Sequence, residues 1–217
     1  RPASLHASVL SPTDDLLAVT VSDGTRFTSF ERGAPICHQG GSCPENVTRL
    51  LPIPLDGADL VSILLGAPPK LGAQSPTTTW DPRAGAYRID GVLAQRDDGT
   101  PGGSMTLWVS HGDWRLKRLS FDGSAPLPTG SRVVVTWDDP QQVSGRSFPH
   151  RVRMSVDKAG LDVQLRYRDV ELNAKLGEDA FRVPCPAGTE IYEAPCPYDG
   201  LEPEPQPERD SGLDGPR

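Results

Sequence analysis

Four cysteines are the residues with the most evident chemistry in this chain of 217 residues, and they occur as two close pairs. Cys37 and Cys43 bracket a glycine-rich segment, and Cys185 and Cys196 bracket a proline-rich one. An even number of cysteines in irregular segments favours disulfides and an oxidising compartment. The short spacings predict that Cys37 pairs with Cys43 and Cys185 with Cys196. Two alternatives stay open: a metal site using Cys37, His38 and Cys43, for which the spacing is poor, or free buried thiols.

The other reactive residue types do not form a pattern typical of an enzyme. No GxSxG nucleophile motif occurs, and the four histidines lack metal-ligand spacing. His150 alternates with Phe148 and Val152 on a predicted inward face, so we interpret it as a hydrogen-bonded core histidine. Asn46 begins a formal N-glycosylation sequon, which matters only in a eukaryotic host. The sequence therefore predicts no catalytic residue, no metal site and no cofactor.

Composition narrows the possible partners and the compartment. The net charge of −7 argues against nucleic acid and disfavours electrostatic adsorption to anionic lipid. The longest apolar run, Leu60–Leu65, is far too short to span a membrane. The chain begins at Arg1, which indicates a removed N-terminal segment such as a signal peptide. With Gly and Pro each near a tenth of the chain, the composition favours short elements joined by turns.

The N-terminal third predicts three strands followed by helical segments. Alternating apolar residues indicate strands over Leu5–Leu10, Asp15–Val21 and Thr25–Phe30, and Asp23-Gly24 is a strong hairpin signal. Residues Asn46–Leu51 resemble a single helical turn.

A better helix is predicted over Asp56–Leu65. It has an acidic start, an apolar stripe and a glycine stop at Gly66. The stripe consists of Leu60, Ile63 and Leu64.

From Thr77 to about residue 172 the pattern is that of successive strands with one apolar and one charged face. Short connections between these strands predict an antiparallel meander. Such a pattern is typical of a curved open sheet whose apolar concave face is covered by other elements and whose charged convex face is exposed to solvent. The fold class predicted is therefore mainly β, with a curved antiparallel sheet of about ten strands.

Several segments together resemble the LolA/LolB superfamily of lipoprotein carriers, and LolB in particular. The first is Leu60–Gly66 after Leu51–Leu55, which resembles the helix region of that family. Four later segments resemble the last strands of that family in their order and spacing, namely Val133–Asp138, Gly145–Pro149, Val163–Val170 and Phe181–Pro184. The resemblance covers Leu5 to Gly188. The two cysteine pairs and an acidic tail are departures from the family, and a lipid-bearing N-terminal cysteine would have to lie upstream of Arg1.

The resemblance implies a half-open β-barrel whose two short helices form a lid over an apolar cavity on the concave face. The lid would present Leu60, Ile63 and Leu64. The predicted cavity residues are the inward apolar side chains of the strands, namely Tyr87, Ile89, Leu107, Val109, Trp114, Leu116, Val135, Trp137, Val152, Met154, Leu165 and Tyr167. The same residues would fill a fully packed core, and the sequence leaves that alternative open.

The function implied is a non-enzymatic envelope protein that binds acyl chains or lipoproteins, as carriers that deliver lipoproteins to the outer membrane do. The implied location is the periplasmic side of the outer membrane, with membrane association only through a lipid anchor upstream of Arg1. The alternative is an accessory or sensor lipoprotein on the same fold, acting as a subunit of an envelope complex with a protein partner and without carrier activity.

The last segment differs in composition from the rest. Residues 1–198 form the predicted domain, and residues 199–217 are rich in acidic residues and proline. Such a segment buries too little apolar surface to offset its ordering entropy. We expect a disordered tail that is dispensable for folding, with a docking peptide as the alternative.

Overall fold

The computed structural model describes residues 4–47, 55, 57–69, 74–93, 102–122, 130–177 and 179–196. Within them the protein is mainly β, with twelve strands in two sheets, one eight-residue helix and a single helical turn. The sheets are not closed, which fits the expected half-open barrel. The prediction of about ten strands in one sheet is wrong, because the N-terminal strands form a sheet of their own.

The first sheet contains, in spatial order, β1 (Leu5–Leu10), β2 (Leu16–Ser22), β3 (Arg26–Glu31), β4 (Ile36–Gly41) and β12 (Glu190–Ala194). The three predicted N-terminal strands are confirmed, with boundaries shifted by about one residue.

The predicted hairpin at Asp23-Gly24 is also confirmed. Gly24 has a φ of 96°, which suits glycine. The Asp23 carboxylate accepts hydrogen bonds from the backbone N–H groups of Arg26 and Thr25 and from the Thr25 hydroxyl. These bonds, the Arg26 bond foremost, hold the pKa of Asp23 well below its usual range. The turn is thus determined by its own residues.

Strand β12 was not predicted, and it pairs parallel to β4, from Glu190 opposite Ile36 to Ala194 opposite Gly40. The expectation of an entirely antiparallel sheet is therefore wrong here. Parallel neighbours need a long connection, and in this chain the whole second sheet lies between them in sequence. Gly40 permits the close approach, because a Cβ there would lie 2.2 Å from the Ala194 carbonyl oxygen.

The disulfides follow this parallel pairing and overturn the predicted local pairs. Cys37 is bonded to Cys185, and Cys43 to Cys196. Cys196 follows β12 as Cys43 follows β4, so the parallel alignment brings the two together. Each of the four sulfur atoms belongs to one of these two disulfides, so the alternatives of a metal site and of free thiols are both overturned.

Asn46 secures the same junction from the single helical turn α1 (Pro44–Val47). Its buried amide nitrogen donates to the carbonyl oxygens of Gly41 at 2.9 Å and Ala194 at 3.2 Å. The side chain of Asn46, the first residue of the formal sequon, is therefore used to join the two strands. The predicted turn at Asn46–Leu51 begins earlier than expected, and its remainder, from residue 48, lies outside the described residues.

The second sheet is the predicted antiparallel meander. Its strands, in chain order and in spatial order, are β5 (Gln74–Asp81), β6 (Ala86–Val92), β7 (Ser104–Ser110), β8 (Leu116–Asp122), β9 (Arg132–Val143), β10 (Arg146–Val156) and β11 (Leu161–Arg166).

A bulge in β8 accounts for a change of phase that the sequence shows between Leu116 and Leu119. Trp108 pairs with Arg118, whereas the next residue, Val109, pairs with Leu116. Lys117 is therefore the extra residue. A bulge of this kind lets residues on both sides of it face inward.

The helix α2 (Gly57–Leu64) confirms the predicted helix over Asp56–Leu65, although Asp56 itself lies outside the described residues. The helix ends at Leu64, and the chain leaves it at Gly66, whose φ is 79°. The N–H of Ala67 donates to the Ser62 carbonyl at 2.8 Å. This is a typical glycine-terminated helix end.

The main core lies between α2 and the inner face of the second sheet. Leu60 and Ile63 of α2 belong to it, and Leu5 of the first sheet packs against it. The predicted tail, residues 199–217, lies outside the described residues. No helix in the described ranges is long and apolar enough to cross a membrane.

We expect the double substitution Cys37→Ala with Cys185→Ala to lower the free energy of unfolding by about 3 kcal/mol. The Cys43–Cys196 bond stays in place and already closes the long loop, so the lost bond closes only the ring formed by residues 37–43 and 185–196. Urea unfolding of the variant and the wild type measures the difference. Peptide mapping without reductant is the control, and a peptide linking Cys37 to Cys43 would contradict the pairing.

Candidate functional site

Ten of the twelve predicted cavity residues meet the predicted lid in one apolar cluster. Leu60 and Ile63 are buried members of that cluster, and Leu64 packs against it. The strand residues concerned are Ile89, Leu107, Val109, Leu116, Val135, Trp137, Val152, Met154, Leu165 and Tyr167.

The centre of this cluster is filled. Ile63 of the helix and Val135, Val152 and Met154 of the sheet have no exposed surface, and Leu60 is 1% exposed. Side chains from the helix and the sheet therefore occupy the space between them. A ligand could enter this region only if α2 moved away from the sheet.

Two aromatic side chains bind the C-terminal end of α2 to the sheet. The Trp137 indole N–H donates to the Ile63 carbonyl at 2.8 Å, and the Tyr167 hydroxyl donates to the Leu64 carbonyl at 2.9 Å. The last carbonyls of a helix have no partner within it, so these bonds satisfy groups that would otherwise remain open. Burial raises the pKa of Tyr167 to about 12, so its hydroxyl stays protonated above the ordinary pKa of 10.0.

A cleft of about 400 Å³ opens next to this end of the helix. Its lining includes Leu65 just after α2, Leu116 and Trp137 of the sheet, Pro149 and Trp114. The volume lies within the range of small-molecule sites. Arg115, Asp138 and Ser147 also line the cleft, so its wall is partly polar. Three of the predicted cavity residues thus line an open space beside the helix end, outside the filled centre.

Tyr87 and Trp114 lie outside the buried cluster. Their rings stack on each other with centroids 5.5 Å apart and an angle of 7°, and the rings of Trp80 and His111 meet them edge-on. Trp114 is 65% exposed, in the turn between β7 and β8. These four residues are called the rim aromatic cluster below. The strand register places Trp80 opposite Tyr87 and Tyr87 opposite Val109. Paired residues share a face of the sheet, so Trp80 and Tyr87 lie on the same inner face as Val109, in a part of it that α2 does not cover.

Sequence reasoning missed Trp80, His111, Leu65 and Pro149 as neighbours of this site. Trp80 follows three threonines and so lies outside the regular apolar–polar alternation, and His111 lies in the turn between β7 and β8. The alternation around Tyr87 carries no information about which strand lies next to it. Cross-strand register was needed to bring these residues together.

His150 is buried, as predicted, on the inner face of β10. Its Nδ1 lies 3.3 Å from the Phe148 carbonyl oxygen, and its ring meets the Phe148 ring edge-on. Both contacts fit a core histidine. Within the described ranges no group of three or more His, Cys, Asp or Glu residues is arranged to hold a metal ion.

The two open sheets, the helix against the inner face and the cleft at its end define a class of half-open β proteins with a helical cover. The chain is similar to the crystal structure of a LolA superfamily protein from Nitrosomonas europaea, with a TM-score of 0.50 and 16% identity over 81% of this chain and 76% of that chain. The fold expected from the resemblance found in the sequence is thereby confirmed, and the likeness concerns the fold alone. No family model matches the sequence, and no curated protein matches it significantly.

We expect Tyr167→Phe to lower the free energy of unfolding by about 1 kcal/mol at neutral pH, since it removes the hydrogen bond to α2. In the wild type the folded pKa of about 12 lies above the ordinary value of 10.0. The folded state therefore keeps a proton that the unfolded state loses, and this residue makes stability fall as pH rises from 10 to 12. In the Tyr167→Phe variant, the free energy of unfolding should therefore fall less than in the wild type between pH 10 and 12.

Urea unfolding across this pH range measures both effects. Tyr192→Phe is the matched control, because Tyr192 is 49% exposed on β12, in the other sheet. If Tyr167→Phe has the same alkaline dependence as the wild type, another group is responsible for it.

Proposed function

We propose that the protein binds acyl chains, free or attached to a lipoprotein, between α2 and the inner face of the second sheet. The observation that carries this proposal is the cleft beside the end of α2, where the apolar inner face emerges beside Leu65, Leu116 and Trp137. No catalytic group is needed, so the proposed role is that of a non-enzymatic carrier.

The energetics of such a site are favourable without polar recognition. Each buried methylene contributes roughly 0.8 kcal/mol, so a chain with about ten buried methylenes would gain about 8 kcal/mol. The open cleft would hold the first part of the chain. Deeper binding would require α2 to rise from Val135, Val152 and Met154, at the cost of the hydrogen bonds from Trp137 and Tyr167.

We infer an oxidising envelope compartment as the place of action. Both disulfides support this inference, since such bonds persist in the periplasm and are rare in the reducing cytosol. Delivery to the outer membrane and a lipid anchor upstream of Arg1 remain part of the proposal on the strength of the resemblance to LolA/LolB carriers.

The carrier proposal predicts that Leu116→Asp weakens binding of a fluorescent fatty acid at least about tenfold. A loss of two methylene contacts at ~0.8 kcal/mol each already exceeds the ~1.4 kcal/mol that corresponds to a factor of ten. Fluorescence titration measures the Kd, and circular dichroism checks the fold.

Leu176→Asp is the matched control for this experiment. Leu176 is 62% exposed and lies outside the residues that line the cleft, so its replacement should leave the Kd unchanged. If the wild-type protein does not bind the fluorescent fatty acid, the carrier proposal is wrong.

A second candidate function is that of an accessory or sensor subunit of an envelope complex. It is favoured by an exposed aliphatic surface at the β1–β2 hairpin, where Val9, Leu10, Leu16 and Leu17 are 40–51% exposed. Exposed apolar surface of this kind is typical of protein contacts. If this candidate is right, Leu10→Asp with Leu17→Asp should abolish a chemical cross-link to a specific envelope protein and leave fatty-acid binding unchanged.

A further inference from the structure

Strand β5 forms one edge of the second sheet, and β6 is its only strand neighbour among the described residues. An edge strand presents backbone N–H and C=O groups without a ladder partner, and such groups readily pair with another strand. All residues of β5 from Gln74 to Trp80 are exposed. The edge is therefore accessible to a partner strand.

Half of this edge lacks the features that usually prevent such pairing, namely charged residues, proline and bulges. For comparison, β12 is an edge strand of the first sheet and carries Glu190 and Glu193. In β5, Pro76 and a shift of register against β6 lie in the first half of the strand. The residues Thr77–Trp80 contain no charge and no proline, and their register against β6 is regular. Threonine and tryptophan also favour strands.

The composition of Thr77–Trp80 fits a second copy of the same strand. When two identical strands pair antiparallel about a two-fold axis, the residue on the axis lies directly opposite its own copy, and like charges placed there repel. A strand of neutral residues avoids this repulsion. Pairs of threonine with threonine, and of an aromatic with a β-branched residue, are favourable across strands.

Two prolines determine the register of such a pairing. Pro76 and Pro82 lack the N–H group that a ladder needs, and Thr79 lies midway between them. An antiparallel ladder centred on Thr79 pairs all residues of Thr77–Asp81 with their counterparts in the partner and includes neither proline.

This register also matches the inner faces of the two sheets. It places Trp80 opposite Thr78 of the partner subunit. Trp80 and Thr78 pair with Tyr87 and Ile89 of β6, and Ile89 packs against the main core. Residues opposite each other share a face of the sheet, so the inner face of one copy continues into that of the other.

We propose that the protein forms a two-fold symmetric dimer in which β5 pairs antiparallel with β5 of a second copy, with Thr79 on the axis. The two seven-stranded sheets then form one continuous sheet. Trp80, which is 50% exposed in the single chain, packs against the partner, and the two rim aromatic clusters lie side by side. The pairing does not rest on the proposed acyl-chain function, because the edge requires no ligand.

The test uses the full chain without fatty acid, and sedimentation velocity over a concentration series gives the dimer Kd. Thr79→Glu places two carboxylates directly opposite each other across the axis and should weaken the dimer at least about tenfold. Within its own chain the new carboxylate faces Arg88, so we expect the fold to be retained, which circular dichroism checks.

Thr77→Lys is the matched control on the same strand. The new lysine faces Asp90 in its own chain and Asp81 of the partner subunit in the dimer, so the dimer should be no weaker than that of the wild type. A mixture of Thr79→Glu chains with Thr79→Lys chains should recover the dimer, because opposite charges then meet on the axis.

Cysteine substitution tests the register directly. Residues directly opposite in an antiparallel pair have Cα atoms about 4.5–5.5 Å apart, which lies within the range of a disulfide. Thr79→Cys should therefore form a covalent dimer in aerated buffer, seen on a gel without reductant. Thr77→Cys should not, because the two copies of residue 77 lie four positions apart along the ladder, roughly 14 Å.

The proposal is overturned if the wild type sediments as a monomer at every concentration, or if Thr79→Glu dimerises as strongly as the wild type. It is also overturned if Thr77→Cys forms the covalent dimer and Thr79→Cys does not. A dimer that Leu10→Asp with Leu17→Asp dissociates, and Thr79→Glu does not, would belong to the β1–β2 hairpin and would overturn it too. A monomer that binds an extended peptide of another protein along β5 has the same consequence. None of these results bears on fatty-acid binding, which is measured separately.

Discussion

The inner face of the second sheet is apolar over more strands than the single helix can cover. Seven strands at ~4.8 Å spacing span roughly 30 Å, whereas an eight-residue helix is about 12 Å long and ~10 Å wide. Where α2 lies, Leu60 and Ile63 fill the space and the core is solid. Where α2 ends, the apolar face emerges in the cleft and then in the rim aromatic cluster. The candidate site is thus the part of this face that the helix leaves uncovered.

Two hydrogen bonds between α2 and the rest of the protein are found at the C-terminal end of the helix. Its C-terminal carbonyls accept hydrogen bonds from Trp137 of β9 and from Tyr167, the residue that follows β11. Movement of α2 would break these two contacts, each worth about 1 kcal/mol, and would also expose the buried side chains of Leu60 and Ile63. A cover held in this way is compatible with a site that opens to admit a chain. A core that had to stay closed would gain from a longer helix.

The first sheet is stabilised by covalent and hydrogen bonds between segments that are distant in the chain. Its fifth strand comes from the far end of the chain, and the ordering of that strand is costly because the connection is long. Two disulfides and the Asn46 amide offset that cost at the junction of β4 and β12. Placing both disulfides across the two chain segments stabilises this junction far more than the local pairs expected from spacing would have done, since those would close only short loops.

Several features of the protein were determined by the sequence alone, because they depend on neighbours in the chain. Period-two alternation located the strands of the second sheet, and Asp23-Gly24 determined a turn through its own hydrogen bonds. The stripe of Leu60, Ile63 and Leu64 with its glycine stop located the helix and the face it buries. Most of the predicted cavity residues gather on one face for the same reason, since alternate residues of a strand share a face.

Only the tertiary structure decided which distant segments meet. The pairing of Cys37 with Cys185 depends on a parallel register between strands about 150 residues apart, and sequence spacing contains no information about that register. The placement of Trp114 beside Tyr87 depends on the register of three strands and on a left-handed turn residue. Whether the inward residues enclose a cavity or fill a core depends on the length of α2 relative to the sheet, which is a property of their packing and not of any single segment.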